Sequence, residues 1–192
     1  LPRTAWVWLP PEEVGGLAAV ERRGGRPFTF GSFNASSKFS PETLGMWARI
    51  LAATPGTRLV LKAAAFVDAE TRELFAGRFS ERGIDRGRIM LLPRDREVRD
   101  HFARYAEIDL ALDTFPYHGT TTTCEALWMN TPVVSLLGET HASRVAGSLL
   151  RQVGLGENVV RSEEEYVRRA VMLAGDAEKL ARQRENLRGR LE

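Results

Sequence analysis

The segment best suited to bind a ligand is residues 118–125, His-Gly-Thr-Thr-Thr-Thr-Cys-Glu. It follows an apolar run and opens a helical pattern, so its backbone amides lie at a predicted helix start, where anions bind. Gly119 permits a tight turn. The free backbone amides at the helix start could bind a diphosphate without a charged side chain. Glu125, one turn into the helix, would accept hydrogen bonds from a ribose. The candidate anion-binding residues are Gly119, Thr120, Thr121 and Thr122.

The alternative for this segment is a threonine-rich cap on an ordinary helix. The two interpretations are about equally supported by the residues alone. Four consecutive threonines are poor helix formers, however, so the run calls for a reason other than helix propensity.

A second loop, residues 31–38, joins a predicted strand to a predicted helix and ends at Lys38. It lacks the spacing of a P-loop and of the dinucleotide fingerprint. Lys38 is nevertheless placed to reach phosphates from a neighbouring strand end; the alternative is a solvated surface lysine. Only three of the 27 basic residues are lysines, which draws attention to the positions that keep one. They are Lys38, Lys62 and Lys179.

The three histidines and the single cysteine suggest binding rather than covalent chemistry. His101, on a predicted helix, would stack on a base or hydrogen-bond a pyrophosphate, or would simply face solvent. His118 and His141 form no metal-ligand spacing with each other or with Cys124, so we expect no metal. Cys124 lies near a predicted helix start, which can lower a thiol pKa, but it lacks a partnered histidine. We therefore interpret it as a small buried residue, and without a Gly-x-Ser-x-Gly elbow serine hydrolysis is not supported.

A third loop, residues 137–144, also follows a strand and opens a helix. Thr140 is a candidate N-cap with Glu139 beside it. Arg144 would either contact a nucleotide or brace Glu139, and the sequence favours neither.

Regular elements separate these loops. Apolar runs bounded by turn residues predict strands at 28–33, 58–62, 88–92, 108–112, 131–136 and 158–160. Helical spacing predicts helices at 41–53, 68–82, 96–106, 121–128, 141–152, a stretch opened by Ser162, and 176–190. The alternation predicts an α/β fold with a Rossmann-like, doubly wound parallel sheet over residues 28–192. Ligands of such sheets bind at the carboxyl ends of the strands, where all three loops lie.

Residues 1–27 are rich in proline and glycine and predict an irregular lead-in or linker. Trp6 and Trp8 flank Val7, so a short edge strand is the alternative there.

Composition excludes several classes of protein. With 192 residues, 43% of them apolar and 27% charged, the chain is globular rather than disordered. No apolar run approaches the ~18–20 residues of a membrane span, so no membrane partner is expected. One cysteine excludes a disulfide scaffold. A net charge of +2 is too balanced to indicate a nucleic-acid-binding protein.

The absence of a signal pattern and of an initiator methionine predicts a cytoplasmic protein and a piece of a longer one.

Several segments together, in order and spacing, resemble one family. They are Gly31–Asn34 with Lys38, the strand–helix with Trp47, His101–Arg104, Pro116–Trp128 and Gly138–Val145. They resemble the C-terminal lobe of glycosyltransferase family 41, which includes the O-linked N-acetylglucosamine transferases, their bacterial tetratricopeptide-repeat relatives and the bacterial cytoplasmic protein glycosyltransferases. The resemblance covers about residues 28–190.

The resemblance implies one lobe of a two-lobed GT-B enzyme, with the N-terminal lobe absent. It implies a UDP-sugar donor, UDP-N-acetylglucosamine or UDP-glucose, no cofactor, and inverting, metal-independent transfer to a protein side chain. Lys38 would stabilise the leaving diphosphate, beside the threonine amides. His101 would pack near the uracil with Arg104 one turn away, and Glu125 would bind the ribose. The acceptor protein would bind through the absent part, so this chain alone would fold but be inactive.

The sequence departs from the animal enzymes of that family at two positions near the sugar nucleotide. Thr120 and Ala35 stand where those enzymes have histidine and glutamine. The alternative to the glycosyltransferase interpretation is a non-catalytic Rossmann-like or flavodoxin-like regulatory or protein-binding module, which the fold alone allows.

Overall fold

The computed structural model describes residues 6–18 and 25–191. Six strands form one parallel sheet. They are β1 (Thr29–Ser32), β2 (Arg58–Lys62), β3 (Ile89–Leu92), β4 (Leu110–Leu112), β5 (Val133–Leu136) and β6 (Val159–Val160).

The strand order is β3-β2-β1-β4-β5-β6. It is the order of the doubly wound Rossmann fold, and it confirms the predicted fold class. The order reverses between β1 and β4, which pair through Phe30 with Leu110 and Gly31 with Ala111. The chain leaves these two neighbouring strands in opposite directions, so a crevice opens beyond their carboxyl ends.

Eight α-helices connect the described strands or follow them. They are α1 (Pro41–Ala53), α2 (Ala69–Ser80), α3 (Val98–Ala103), α4 (Thr121–Trp128), α5 (Val145–Gln152), α6 (Glu163–Gly175), α7 (Ala177–Arg184) and α8 (Leu187–Leu191). None of those in residues 6–18 and 25–191 has the length and apolar character needed to span a bilayer.

The predicted helix at 68–82 is α2, shorter by one residue at its start and two at its end, and three other predicted helices differ by more than their end residues. The predicted helix at 96–106 is α3 followed by a 3-10 turn at Arg104–Glu107, and that at 141–152 is a 3-10 turn at His141–Ser143 followed by α5. The prediction of one final helix over 176–190 is wrong. Glu185 is extended and Asn186 adopts a left-handed φ of 54°, which ends α7 and starts α8 in a new direction.

Alternate residues of the strands face two separate cores. On one face Phe30, Leu59 and Leu61 pack with α1, α2 and α6. On the other face Val60 and Ala111 pack with α3, α4, α5 and α8. Both faces of the sheet are therefore covered, which explains the near-continuous apolar strands.

The start of α1 is tied to the loop that follows β4. Ser40 is the N-cap, and its hydroxyl oxygen accepts the Thr43 backbone N–H at 3.1 Å. The Ser40 and Thr43 hydroxyls each donate to the Phe115 carbonyl at 2.8 Å, and Thr43 Oγ1 accepts the Phe115 N–H at 2.9 Å. These bonds fix one wall of the crevice.

Residues 6–18 form no strand; they lie across the helices of the second face. Val14 is fully buried, and the Trp8 and Trp128 rings meet edge to face at 5.9 Å. Arg188 donates to the Leu17 carbonyl at 2.9 Å. The edge-strand alternative for Trp6 to Trp8 is therefore wrong, and the remainder of the predicted lead-in, residues 1–5 and 19–24, lies outside the described residues.

Glu157 joins β6 to the last long helices. Its carboxylate pairs with Arg169 on α6 at 2.7 Å and with Lys179 on α7 at 3.2 Å, and it accepts a hydrogen bond from Gln183. Partial burial opposes ionisation, but these partners outweigh it and lower the pKa of Glu157 to about 2. A lowered folded-state pKa stabilises the fold above the unfolded-state value, near 4.5, and that stability is lost as the pH falls toward 2.

We expect Glu157→Gln to destabilise the protein at pH 7 by no more than about 1 kcal/mol, because the carboxylate is 47% exposed and solvent screens it. The difference in unfolding free energy from the wild type should close between pH 4.5 and 2 in urea titrations. Glu178→Gln, at an exposed helix position, is the matched control and should show no such pH-dependent difference. A gap that stays constant down to pH 2 would contradict the ion-pair explanation.

Candidate functional site

The predicted binding loops converge where the strand order reverses. Asn34 follows β1 and Asp113 follows β4, and both side chains are buried. Residues 114–120 run from β4 to the start of α4, so this loop closes the crevice from the α4 side.

A buried carboxylate holds the loop from beneath. Asp113 Oδ1 accepts the Gly119 backbone N–H at 2.8 Å, and Oδ2 accepts the Ser135 hydroxyl at 2.7 Å. The His118 ring lies 3.5 Å from the same carboxylate and hydrogen-bonds the Leu136 carbonyl at 2.8 Å through Nε2. Burial raises the pKa of Asp113, with His118 and the hydrogen bonds opposing. His118 is thus a buried support of the loop rather than a ligand-facing group.

The four threonines divide into two that hold the loop and two that lie nearer the solvent. Thr123 donates back to the Gly119 carbonyl at 2.9 Å, and Thr122 donates to Asn34 Oδ1 at 2.8 Å. Thr120 occupies the N-cap position without a side-chain cap bond, and Thr121 is exposed. The predicted helix start is confirmed, and the first amides of α4 face the crevice end of the helix.

Gly119 is required by close approach rather than by its backbone angle. A Cβ at this position would lie 2.8 Å from Asn34 Oδ1 and closer still to the Thr122 hydroxyl. The side chains that link β1 to α4 therefore occupy the space that any larger residue would need.

Lys38 lies directly beside this loop. It ends a 3-10 turn at Ser36–Lys38, and its Nζ donates to the His118 carbonyl at 2.9 Å. The same ammonium lies 4.4 Å from the centre of the Tyr117 ring. Burial lowers the pKa of Lys38, and the nearby Asp113 carboxylate opposes that shift. The structure thus brings Lys38 to the predicted anion loop rather than leaving it in solvent.

His101 and Glu125 form the second part of the site. His101 Nε2 lies 2.9 Å from Glu125 Oε2, and the Tyr105 hydroxyl donates to the same oxygen at 3.3 Å. His101 and Glu125 both line a cavity of about 380 Å³. Its other polar and apolar walls include Phe33, Asn34, Lys62, Asp95, Val98 and Thr122.

Arg104 is turned away from this cavity. Its Nε donates to Asp95 Oδ1 at 3.1 Å and its Nη1 to Glu107 at 2.7 Å. These contacts raise the pKa of Arg104. The arginine braces the loop that follows β3, and the structure does not bring it together with the threonine loop.

The remaining candidates are supports. Cys124 is buried, and burial together with Glu125 raises the pKa of its thiol to about 12, so the helix start does not activate it. Thr140 caps the 3-10 turn at His141–Ser143 in a capping box, as predicted. Arg144 Nε donates to the Gly138 carbonyl at 3.0 Å.

Two residues that line the cavity, Lys62 and Asp95, were not identified as site residues from the sequence. Lys62 ends β2, and its Nζ donates to Asp95 Oδ2 at 2.7 Å. The available signal was a rare lysine at the end of an apolar strand.

Within residues 6–18 and 25–191 no cluster of three or more His, Cys, Asp or Glu side chains is arranged to hold a metal ion.

Comparisons with known proteins bear on this geometry. A family model described as Glycosyl transferase family 41 matches residues 26–191. Over 188 residues the chain is 42% identical to a Hordeum vulgare protein named probable UDP-N-acetylglucosamine–peptide N-acetylglucosaminyltransferase SPINDLY. That match covers 98% of this chain and 20% of the relative, so the chain spans about one fifth of its length.

Two solved structures are similar in fold. An O-GlcNAc transferase variant from Thermobaculum terrenum superposes with a TM-score of 0.86 at 45% identity, covering 95% of this chain and 34% of that one. The C-terminal domain of a group 1 family glycosyl transferase from Francisella tularensis superposes with a TM-score of 0.65, covering 86% of each chain. At 14% identity the second likeness shows the fold alone.

Proposed function

Because this chain belongs to glycosyl transferase family 41, we propose that it is the donor-binding lobe of a protein glycosyltransferase. Its fold is that of a GT-B C-terminal lobe. The proposed ligand is a UDP-sugar, and the names of the relatives favour N-acetylglucosamine as the sugar. Since the chain spans a fifth of those relatives, the acceptor protein would bind to parts of a longer polypeptide, and this chain alone would not transfer sugar.

The observation that carries the proposal is that the cavity and the anion loop meet. Thr122, in the first turn of α4 just after the loop, lines the cavity that holds His101 and Glu125. A nucleoside diphosphate fits this arrangement, with the nucleoside in the cavity and the phosphates over the start of α4. Lys38 supplies a cation directly beside that loop.

The chemistry proposed for this lobe is stabilisation of the leaving group. The acceptor side chain attacks C1 of the sugar, the bond from C1 to the β-phosphate oxygen breaks, and its electron pair stays on the diphosphate. A preorganised ammonium and backbone amides stabilise that developing charge. Lys38 and the amides of Thr120 and Thr121 are the groups proposed to do so.

The test is binding of UDP by the chain as it stands. At ten times its Kd, UDP should stabilise the fold by about 1.4 kcal/mol, which is a rise in Tm of roughly 3–5 °C. Uridine, which lacks phosphates, should give a smaller rise, and Thr121→Ala combined with Thr122→Ala should reduce the UDP effect.

Calorimetry would confirm one site per chain. The absence of any stabilisation by millimolar UDP would count against the proposal and in favour of a non-catalytic module.

A further inference from the structure

Lys62 is a buried charge at the end of β2. It is 3% exposed, and its partner Asp95 is 9% exposed. Burying a lysine is costly unless the ammonium is paired and hydrogen-bonded. Lys62 Nζ meets both conditions, because it donates to Asp95 Oδ2 and also contacts His101 Nδ1. Arg104 holds the other oxygen of Asp95, so the pair is fixed in place.

This contact determines where the His101 ring carries its proton. Lys62 pairs with a carboxylate, so its ammonium is a donor and Nδ1 of His101 must accept. The ring proton then lies on Nε2, which donates to Glu125 Oε2 at 2.9 Å.

The same arrangement leaves one oxygen of Glu125 for a ligand. Oε2 lies 2.9 Å from His101 Nε2 and 3.3 Å from the Tyr105 hydroxyl, whose single proton is shared with the Thr122 carbonyl at 3.2 Å. In the part of the chain that the structure describes, no residue hydrogen-bonds Oε1, although Glu125 is only 13% exposed and lines the cavity. Oε1 is open to the cavity, and a carboxylate oxygen there can accept a hydrogen bond from a ligand hydroxyl.

We propose that Lys62 is a positioning residue that acts through His101. It holds the ring in the Nε2–H tautomer, the ring holds Glu125 by Oε2, and Oε1 accepts a hydroxyl of the ligand's ribose. The chain thereby discriminates ribonucleotides from deoxyribonucleotides. The step from Oε1 to ribose rests on the proposed function, whereas the tautomer does not.

The tautomer is tested without ligand, on chain with 15N-labelled histidines. In the wild type at pH 7, His101 should show a protonated Nε2 and a non-protonated Nδ1, assigned by the signals lost in His101→Gln. Lys62→Met has a similar length and no charge, and it should shift the Nδ1 signal toward the protonated range. Lys179→Met is the matched control and should leave the His101 spectrum unchanged.

Should Lys62→Met fail to fold, Lys62→Met with Asp95→Asn removes both charges together and serves instead. The wild-type spectrum decides the matter in any case: a protonated Nδ1 in His101 would overturn the proposal.

The consequence for ligand binding is tested by calorimetry with UDP and 2′-deoxy-UDP. We expect the wild type and Lys179→Met to prefer UDP by about tenfold, the value of one hydrogen bond to a charged group. Lys62→Met should reduce that preference to about twofold and change the affinity for 2′-deoxy-UDP little. An unchanged preference in folded Lys62→Met would overturn the positioning role. If the wild type binds neither nucleotide, the proposed function fails, and the spectrum alone decides the role of Lys62.

Discussion

Replacing Lys38 by alanine should reduce the proposed sugar transfer, measured in a protein that contains this lobe and its acceptor-binding part, by about 10²- to 10³-fold, mainly in kcat. The magnitude is that of removing one preorganised group from a site of developing negative charge, roughly 3–4 kcal/mol of transition-state stabilisation. Lys38 is the described cation beside the Gly119 loop, 2.9 Å from the His118 carbonyl. Steady-state kinetics of that purified protein would measure the loss.

The matched control for Lys38 is Lys179→Ala, which removes a lysine that pairs with Glu157 far along the chain. It should leave kcat within twofold. Because burial lowers the pKa of Lys38, the wild-type rate should also decline at high pH as that ammonium loses its proton. Undiminished transfer by folded Lys38→Ala would contradict the assignment of Lys38 to the leaving group.

Replacing Asp113 by alanine should have the largest effect on stability, a loss of about 3–5 kcal/mol in the free energy of unfolding. The carboxylate is fully buried and satisfies the Gly119 N–H and the Ser135 hydroxyl, with the His118 ring beside it. Removing it leaves these buried groups without their partner, which costs the desolvation of each. Urea unfolding at pH 7 measures the change.

The comparison variant is Ser135→Ala, which removes only one of those hydrogen bonds and should cost about 1 kcal/mol. The folded fraction of Asp113→Ala should bind UDP more weakly, since the Gly119 amide is no longer held. Equal destabilisation by the two variants would show that the carboxylate does not organise the loop.

The sequence predicted the elements because their signals are local. Pro55 and Gly56 end one helix, Pro93 ends a strand, and the buried strands are short apolar runs. The threonine loop could also be predicted from the sequence. Its signal is a glycine and a run of hydroxyl side chains at a helix start, which can be recognised without knowing any long-range contact. The differences lie at the ends of elements and at Asn186, whose left-handed conformation divides the predicted final helix into two.

Strand order and the supports of the site depend on contacts between distant residues. Nothing in the local pattern says that β1 lies between β2 and β4, and that order decides where the crevice opens. Lys62 lies 33 residues from Asp95 and 39 from His101 along the chain. The sequence identified His101 and Glu125 separately, but the group that orients both became visible only in three dimensions.

Arg104 is a residue that the sequence assigned to the site but that the structure directs elsewhere. The family resemblance implied that Arg104 lies beside His101 at the nucleotide, and that remains a prediction. The structure directs its guanidinium to Asp95 and Glu107. The spacing of residues along a helix predicts the face on which a side chain lies. It does not predict which nearby carboxylates a long, flexible arginine side chain will bind.

The segment at residues 6–18 makes the folding unit longer than the region that the family model matches. That region begins at residue 26, yet Pro11 supplies one wall of the ligand cavity and Arg99 donates to the Glu13 carbonyl at 2.7 Å. A chain cut at residue 26 would uncover the groove that buries Val14 and would open the cavity on that side.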